Sequence, residues 1–413
     1  MGDTDLQRFP KVLILCDRFD NSTGMGVTLT NLFMEWPKMN LALAGFNIDK
    51  SLCEEIRPCA SYFALNGRFI TSTQKKIGSS RRPSLLRSVL KFVYNKLGMS
   101  DNKDIPISKD LEQFIVEFDP DIIFSALGDL SRIRFTERIA NLYPASKLAL
   151  YIVDDWPDSR FDGRWFESCW RKKYFNATQN IVNRADICMS ICQKMSETYH
   201  QRYGKYFYPF HNPVAINAWE EVSPLQLYEK NIFSIAYVGK INRDTERQLI
   251  TLAKCVEALN TADRKIKFDI YTPSIIPLSL KNFSNTEIKS AVPNSEVPSL
   301  LKSYSLLFLT LGFSNETIKY VKLSMPTKLT EYLASGTPIL LYAPEDIALS
   351  EYLSKHDAAV ICSKESDLQE VLEGIISDDS LLKKFVFNAL KEVQKHDAPV
   401  VRSKFRKVLN LET

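Results

Sequence analysis

The chain of 413 residues holds only four histidines, none paired at i and i+4. An HExxH site or a histidine-built structural zinc is therefore not expected. The eight cysteines, at 16, 53, 59, 169, 188, 192, 255 and 362, form no CxxC pair and have no histidine at ligand spacing. Several sit inside strand-like runs, where a free thiol behaves as a small buried hydrophobe, so reduced core cysteines are expected. No apolar run approaches the roughly 18 residues of a membrane span. The first residues, MGDTDLQRFPKVLILC, carry acids and lack the apolar core and cleavage site of a signal peptide. A cytoplasmic location is the expectation, and Met1-Gly2 alone is only a slight myristoylation signal. Acid is missing too: residues 56–100 contain no Asp or Glu, while Arg57, Arg68, Lys75, Lys76, Arg81, Arg82, Arg87, Lys91 and Lys96 supply nine positive charges.

Hydrophobic residues make up 45% and charged residues 25%, the balance of a soluble globular protein. The length exceeds the roughly 250–300 residues that one core usually serves, so two domains are expected. The most informative stretch is Ser324 to Leu340. Ser324-Met325-Pro326 predicts an extended turn, because proline fixes its own φ and restricts the residue before it. Thr327 is expected to open a helix with Leu329, Tyr332 and Leu333 on its apolar face, closed by Ser335-Gly336 and followed by a strand at Ile339–Tyr342. The start of such a helix is a place for a phosphate. Lys328 adds a cation there, and Glu331, one turn on, can accept from ribose hydroxyls. Together they describe a nucleotide-diphosphate site; the alternative is an ordinary helix-to-strand connection.

Along the chain, Lys11–Cys16 predicts a buried parallel strand that runs into a loop with Gly24 and Gly26, and Val27–Trp36 predicts a helix. Two glycines let backbone approach a ligand closely, although a dinucleotide fingerprint would carry a third, so NAD is not expected. In the acid-free segment Leu86, Val89, Leu90, Val93 and Leu97 recur at helical spacing, the pattern of an interfacial helix drawn to anionic lipid or of a helix packed on its own domain with a solvated basic face. Asp119-Pro120-Asp121 matches a DxD pattern but precedes its strand, Ile122–Ala126, and is taken as a structural turn. The strand Leu148–Val153 instead delivers Asp154 and Asp155 at its carboxyl end, where site residues of open α/β sheets lie. They are expected either to orient or deprotonate an acceptor hydroxyl or to cap a helix or form a salt bridge. After His211-Asn212-Pro213 a second alternating series begins, with strands at Phe233–Val238, Phe268–Tyr271, Leu306–Leu309, Ile339–Tyr342 and Ala358–Cys362. Two α/β units, 1–213 and 214–390, are predicted to be doubly wound and to face one another across a cleft.

These residues resemble the retaining glycosyltransferases of the GT-B fold, and within them family 4. Gly239-Lys240 after Ile235–Val238 is similar to the segment under the donor pyrophosphate. PTKLTEYLASGTPIL resembles the donor-nucleotide helix, and Gly24-Met25-Gly26 the glycine loop of the first domain. Ala185–Ser190, Tyr203-Gly204 and Asn212-Pro213 resemble the approach to the interdomain linker. The resemblance implies transfer of a sugar from a nucleotide-diphosphate sugar to a glycan or lipid-linked acceptor, with retention and without metal or other cofactor. It implies donor contacts from Ser324, Met325, Pro326, Thr327, Lys328, Leu329 and Glu331, and a diphosphate held by Lys240 with Arg243 or Arg247, the latter slightly favoured. It also implies that 391–413 forms a helix returning to the first domain. Two departures are evident: Leu323 stands where an E-x7-E pattern has its first glutamate, and Asp154-Asp155 where a histidine is common. A non-catalytic binding subunit and a nucleotide-sugar epimerase are the alternatives. Nucleic acid is not an expected partner, whereas an anionic membrane surface is one for residues 56–100.

Overall fold

A parallel strand covered on both faces must be apolar along its whole length, and most strands of this chain are. The computed structural model describes residues 9–410 apart from 18, 21, 22, 47, 49–57, 68–88, 90–92, 100–102, 226, 228 and 230. By contact the chain divides into two compact units, one holding the residues up to Pro213 and those from Val400, the other Val214–Pro399.

The first unit contains β1 (Val12–Leu15), β2 (Leu41–Gly45), β3 (Ser61–Ala64), β4 (Ile122–Ala126), β5 (Lys147–Ile152), β6 (Ile187–Ser190) and β7 (Tyr208–Pro209). They form one seven-stranded sheet in the order β3-β2-β1-β4-β5-β6-β7, every pair parallel. The second contains β8 (Ile232–Val238), β9 (Lys265–Thr272), β10 (Thr286–Ser290), β11 (Leu306–Thr310), β12 (Ile339–Tyr342) and β13 (Val360–Cys362). Its six-stranded sheet runs β10-β9-β8-β11-β12-β13, again parallel throughout. Strand order reverses between β1 and β4 and between β8 and β11, the points at which open α/β sheets offer ligands a crevice.

Three strands escape the sequence pattern: β3, β7 and β10. Each is a sheet edge. An edge strand is only half covered, so β10 needs no apolar run and alternates partly buried Ile288 with exposed Glu287. The basic segment 56–100 lies mostly outside the described residues, and with it most of the amphipathic helix expected there. Residues 93–99 are described and pack on the first unit. Trp165 N–H donates to the Lys96 carbonyl at 2.8 Å, and a Cβ at Gly98 would meet the Trp170 indole at 2.6 Å.

Helix Ala398–Leu409 inserts Phe405, fully buried, into an aromatic cluster of the first unit. The ring stands 5.0 Å from Phe33 and 5.3 Å from Phe210, both edge-on. Of the described cysteines none is in a disulfide, and all are buried except Cys169. No described helix is long and apolar enough to cross a membrane.

Candidate functional site

In the second unit β8 ends at Val238, and Gly239 follows with φ 157°. A Cβ at Gly239 would stand 3.1 Å from both Lys328 Nζ and Tyr237 Oη, so a side chain on this strained backbone would push the amine back by a few tenths of an ångström. Lys328 Nζ donates to the Val238 carbonyl at 3.3 Å, and the Val238 N–H donates to Tyr332 Oη at 3.2 Å. Lys328 and Tyr332, four residues apart, thus hold the carbonyl and the N–H of a single residue, Val238, at the mouth of β8. The amine lies 4.4 Å over the Tyr237 ring, an arrangement that favours the cation. Tyr237 in turn donates to the Lys240 carbonyl at 2.8 Å.

Burial lowers the Lys328 pKa to about 8, with Glu331 pulling it partly back. Burial raises Glu331 to about 7, with Lys328 opposing. A cation and a carboxylate are therefore both held near their point of titration in neutral solution. The structure brings Gly239 and Lys328 together; Lys240 is exposed beside them.

The helix after Pro326 is shorter than the sequence suggests. It spans Leu329–Ala334 with Lys328 at its cap, and Thr327 belongs to the preceding turn, in which the Leu329 N–H donates to the Pro326 carbonyl at 3.0 Å. Six residues give little dipole, so the side-chain charge of Lys328 rather than the helix end is the main local source of positive potential. Leu329 and Met325 are buried in the core, so their side chains cannot meet a donor and only their backbone groups can. Ser324 Oγ donates to the Tyr320 carbonyl at 3.2 Å. Leu323, where a carboxylate was sought, is also core, with 2% exposure. Gly336 closes the segment with φ 70°.

Helix Arg243–Leu259 starts on an Asn242 cap, whose Oδ1 accepts from the Thr245 N–H at 2.8 Å. Sequence reasoning passed over Asp244, which ties this helix to the loop after β11. Its Oδ2 accepts from Ser314 Oγ at 2.5 Å and from Thr317 Oγ1. Those hydroxyls, foremost, and then Arg247 and Arg243 hold its pKa below the ordinary value. Gly312 belongs to the same junction, since a Cβ there would meet the Asp244 side chain at 2.6 Å. No local signal marks these contacts, because the partners lie some seventy residues apart. Arg243 is the exposed first residue of the helix, while Arg247 lines a pocket with Ser363 and Glu365.

In the first unit the glycines expected in a loop lie in the first turn of helix Gly24–Leu32. Thr23 caps it, Oγ1 accepting from the Gly26 N–H at 3.1 Å, and a Cβ at Gly26 would fall 2.0 Å from the Asp20 carbonyl oxygen. Gly26 is thus demanded by the chain folding over its own helix. At the end of β5, Asp155 is 1% exposed. Its carboxylate pairs with Arg202 at 2.6 and 3.0 Å and accepts from Tyr199 Oη at 3.0 Å. Burial raises its pKa, and the Arg202 contacts pull it back. Of the two aspartates expected to serve an acceptor, Asp155 is committed to this ion pair, whereas Asp154 is half-buried at the strand end. Asp121 accepts from the Lys11 N–H at 2.7 Å, and Asp119 has φ 50°, so the DPD triplet makes a turn.

No family model matches this sequence, and no curated protein sequence matches it. Solved structures do. HepE of Anabaena, in complex with UDP-glucose, aligns with a TM-score of 0.61 at 12% identity over 96% of this chain and 99% of that one. A glycosyltransferase from Rickettsia africae gives 0.62 at 11% identity over 97% and 99%. WaaG, a glycosyltransferase involved in lipopolysaccharide biosynthesis, gives 0.57 at 10% identity over 96% and 99%. At such identities the likeness is one of fold. The chain has the GT-B fold, built of two Rossmann-like units.

Proposed function

We propose that this chain transfers a sugar from a nucleotide-diphosphate sugar to a glycan or lipid-linked acceptor, with retention and without a metal. The observation that carries the proposal is the clasp at β8, where Lys328 is held against Gly239 beside Lys240, with Glu331 one turn on. Breaking a sugar–phosphate bond places negative charge on the departing diphosphate, and preorganised cations accelerate that step most when little water competes. Lys240 and Lys328 supply two of them. Arg243 is the better third, because Arg247 faces the pocket with Ser363 and Glu365. Glu331 would accept from the ribose hydroxyls, and Asp154 would orient or deprotonate the acceptor hydroxyl.

UDP-glucose is the first donor to try, since HepE, of the same fold, is known in complex with it. The test is binding and turnover by the full-length protein in EDTA, across UDP-, GDP-, dTDP-, ADP- and CMP-sugars. Stabilisation by one nucleoside diphosphate class is expected, with Lys240→Ala and Glu331→Ala each lowering kcat/KM by roughly 100- to 1,000-fold, the range of single electrostatic groups. Wild-type turnover in both variants would overturn the donor assignment. We also propose that the nine cations of residues 56–100 draw the enzyme to anionic lipid. Co-sedimentation with phosphatidylserine vesicles that vanishes at high salt is the expected result.

A further inference from the structure

The second unit contains a pocket of about 350 Å³, near the lower end of the roughly 300–1,000 Å³ range of small-molecule sites. None of Gly239, Lys240, Lys328 or Glu331 lines it. Helix Arg243–Leu259 contributes Arg247, Gln248 and Thr251, the chain after β13 contributes Ser363 and Glu365, and Phe313 meets Tyr342 with ring centroids 4.7 Å apart. Gln248 is 7% exposed, and its Oε1 has no hydrogen-bond partner within the protein. A buried amide oxygen without a donor is costly, and a ligand hydroxyl would remove that cost.

The charges decide the class of ligand. Asp244 and Glu365 set two carboxylates against the single guanidinium of Arg247 around this space, so a phosphate would be repelled. A neutral ligand rich in hydroxyls is suited. Its O–H groups donate to Gln248 Oε1 and to the carboxylates, and its oxygens accept from Arg247. Thr251 and Ser363 already engage Glu365 and Glu345 at 3.2 and 2.6 Å, which holds the wall in place. Phe313, half-buried, offers an apolar surface to the C–H face of a pyranose. We infer that this pocket binds a neutral saccharide unit, additional to the sugar carried by the nucleotide donor.

The experiment titrates methyl α-glucoside, followed by saturation-transfer NMR, into the full-length protein with UDP present in excess. Saturable transfer is expected in the wild type. A loss of affinity of tenfold or more is expected in Gln248→Met, which keeps the volume and removes the unpaired oxygen, with UDP binding unchanged. Ser363→Ala, at a half-buried position, serves as a second variant should the buried one melt early, and is expected to weaken transfer likewise. Absence of saturable transfer, transfer undiminished in both variants, or displacement of the glucoside by inorganic phosphate would each overturn the inference. Failure of UDP itself to bind would count against the donor assignment and leave the glucoside result to stand or fall separately.

Discussion

Lys328 and Glu331 illustrate how much one residue's surroundings decide. Because Glu331 titrates near 7 when folded, against an ordinary 4.5, the folded state binds its proton more tightly than the unfolded chain. The stability this gives is full below about pH 4.5 and lost as the pH rises through 7. Lys328 runs oppositely: its depressed pKa of about 8, against 10.5, contributes stability above about pH 10.5 that is lost as the pH falls through 8. Both penalties are present between pH 7 and 8. Glu331→Gln is therefore expected to gain on the order of 1–3 kcal/mol over the wild type at pH 8 and little at pH 4, read from urea denaturation of the unliganded protein. For catalysis the same pair predicts a bell-shaped kcat/KM, falling below about pH 7 as Glu331 takes up its proton and above about pH 8 as Lys328 loses its own. A flat profile across pH 6–9 would remove both residues from donor binding. Asp155 and Asp154 should separate cleanly. Asp155→Ala removes the buried partner of the Arg202 guanidinium and leaves it only Asp158, 2.8 Å away on the exposed side, so a loss of about 1–3 kcal/mol is expected. Asp154→Ala, at a half-buried position, is expected to destabilise less and to lower turnover.

At the scale of elements, helix Gly24–Leu32 depends on a close approach that no other residue permits. Gly26→Ala would press a methyl group against the Asp20 carbonyl at 2.0 Å, which forces the Asp20 backbone off the helix. A destabilisation of about 1–3 kcal/mol is expected, as for other overpacked sites, and melting curves measure it. Buried strands such as β4 and β8 were legible because burial on both faces leaves a continuous apolar run. The edge strands β3, β7 and β10 were not, because pairing on one side only places no such demand on composition. The helix at Lys328 was legible in existence and end, through Gly336, yet not in start, since the turn residues 326–328 satisfy backbone groups in a way that local propensity does not encode.

At the scale of the molecule, the chain leaves the first unit at Pro213 and supplies it again from Val400. Phe405 sits in the first unit's core against rings from positions 33 and 210, so Phe405→Ala is expected to lose about 3–5 kcal/mol. The loss should appear in the first unit's unfolding transition and spare UDP stabilisation of the second. The amino-acid sequence by itself determined the doubly wound α/β class, the glycine that closes the helix at 336, and the spacing of a cation and a carboxylate one turn apart at 328 and 331. Each of these follows from periodicity or backbone freedom, properties that act over a few residues. Only the tertiary structure decided that Asp155 is spent on Arg202, that Leu323 and Leu329 are core, that Lys328 meets Gly239, and that Asp244 bridges to Ser314. Those outcomes turn on which groups lose water to which partners, and the partners are brought together by the sheet from positions up to ninety residues apart.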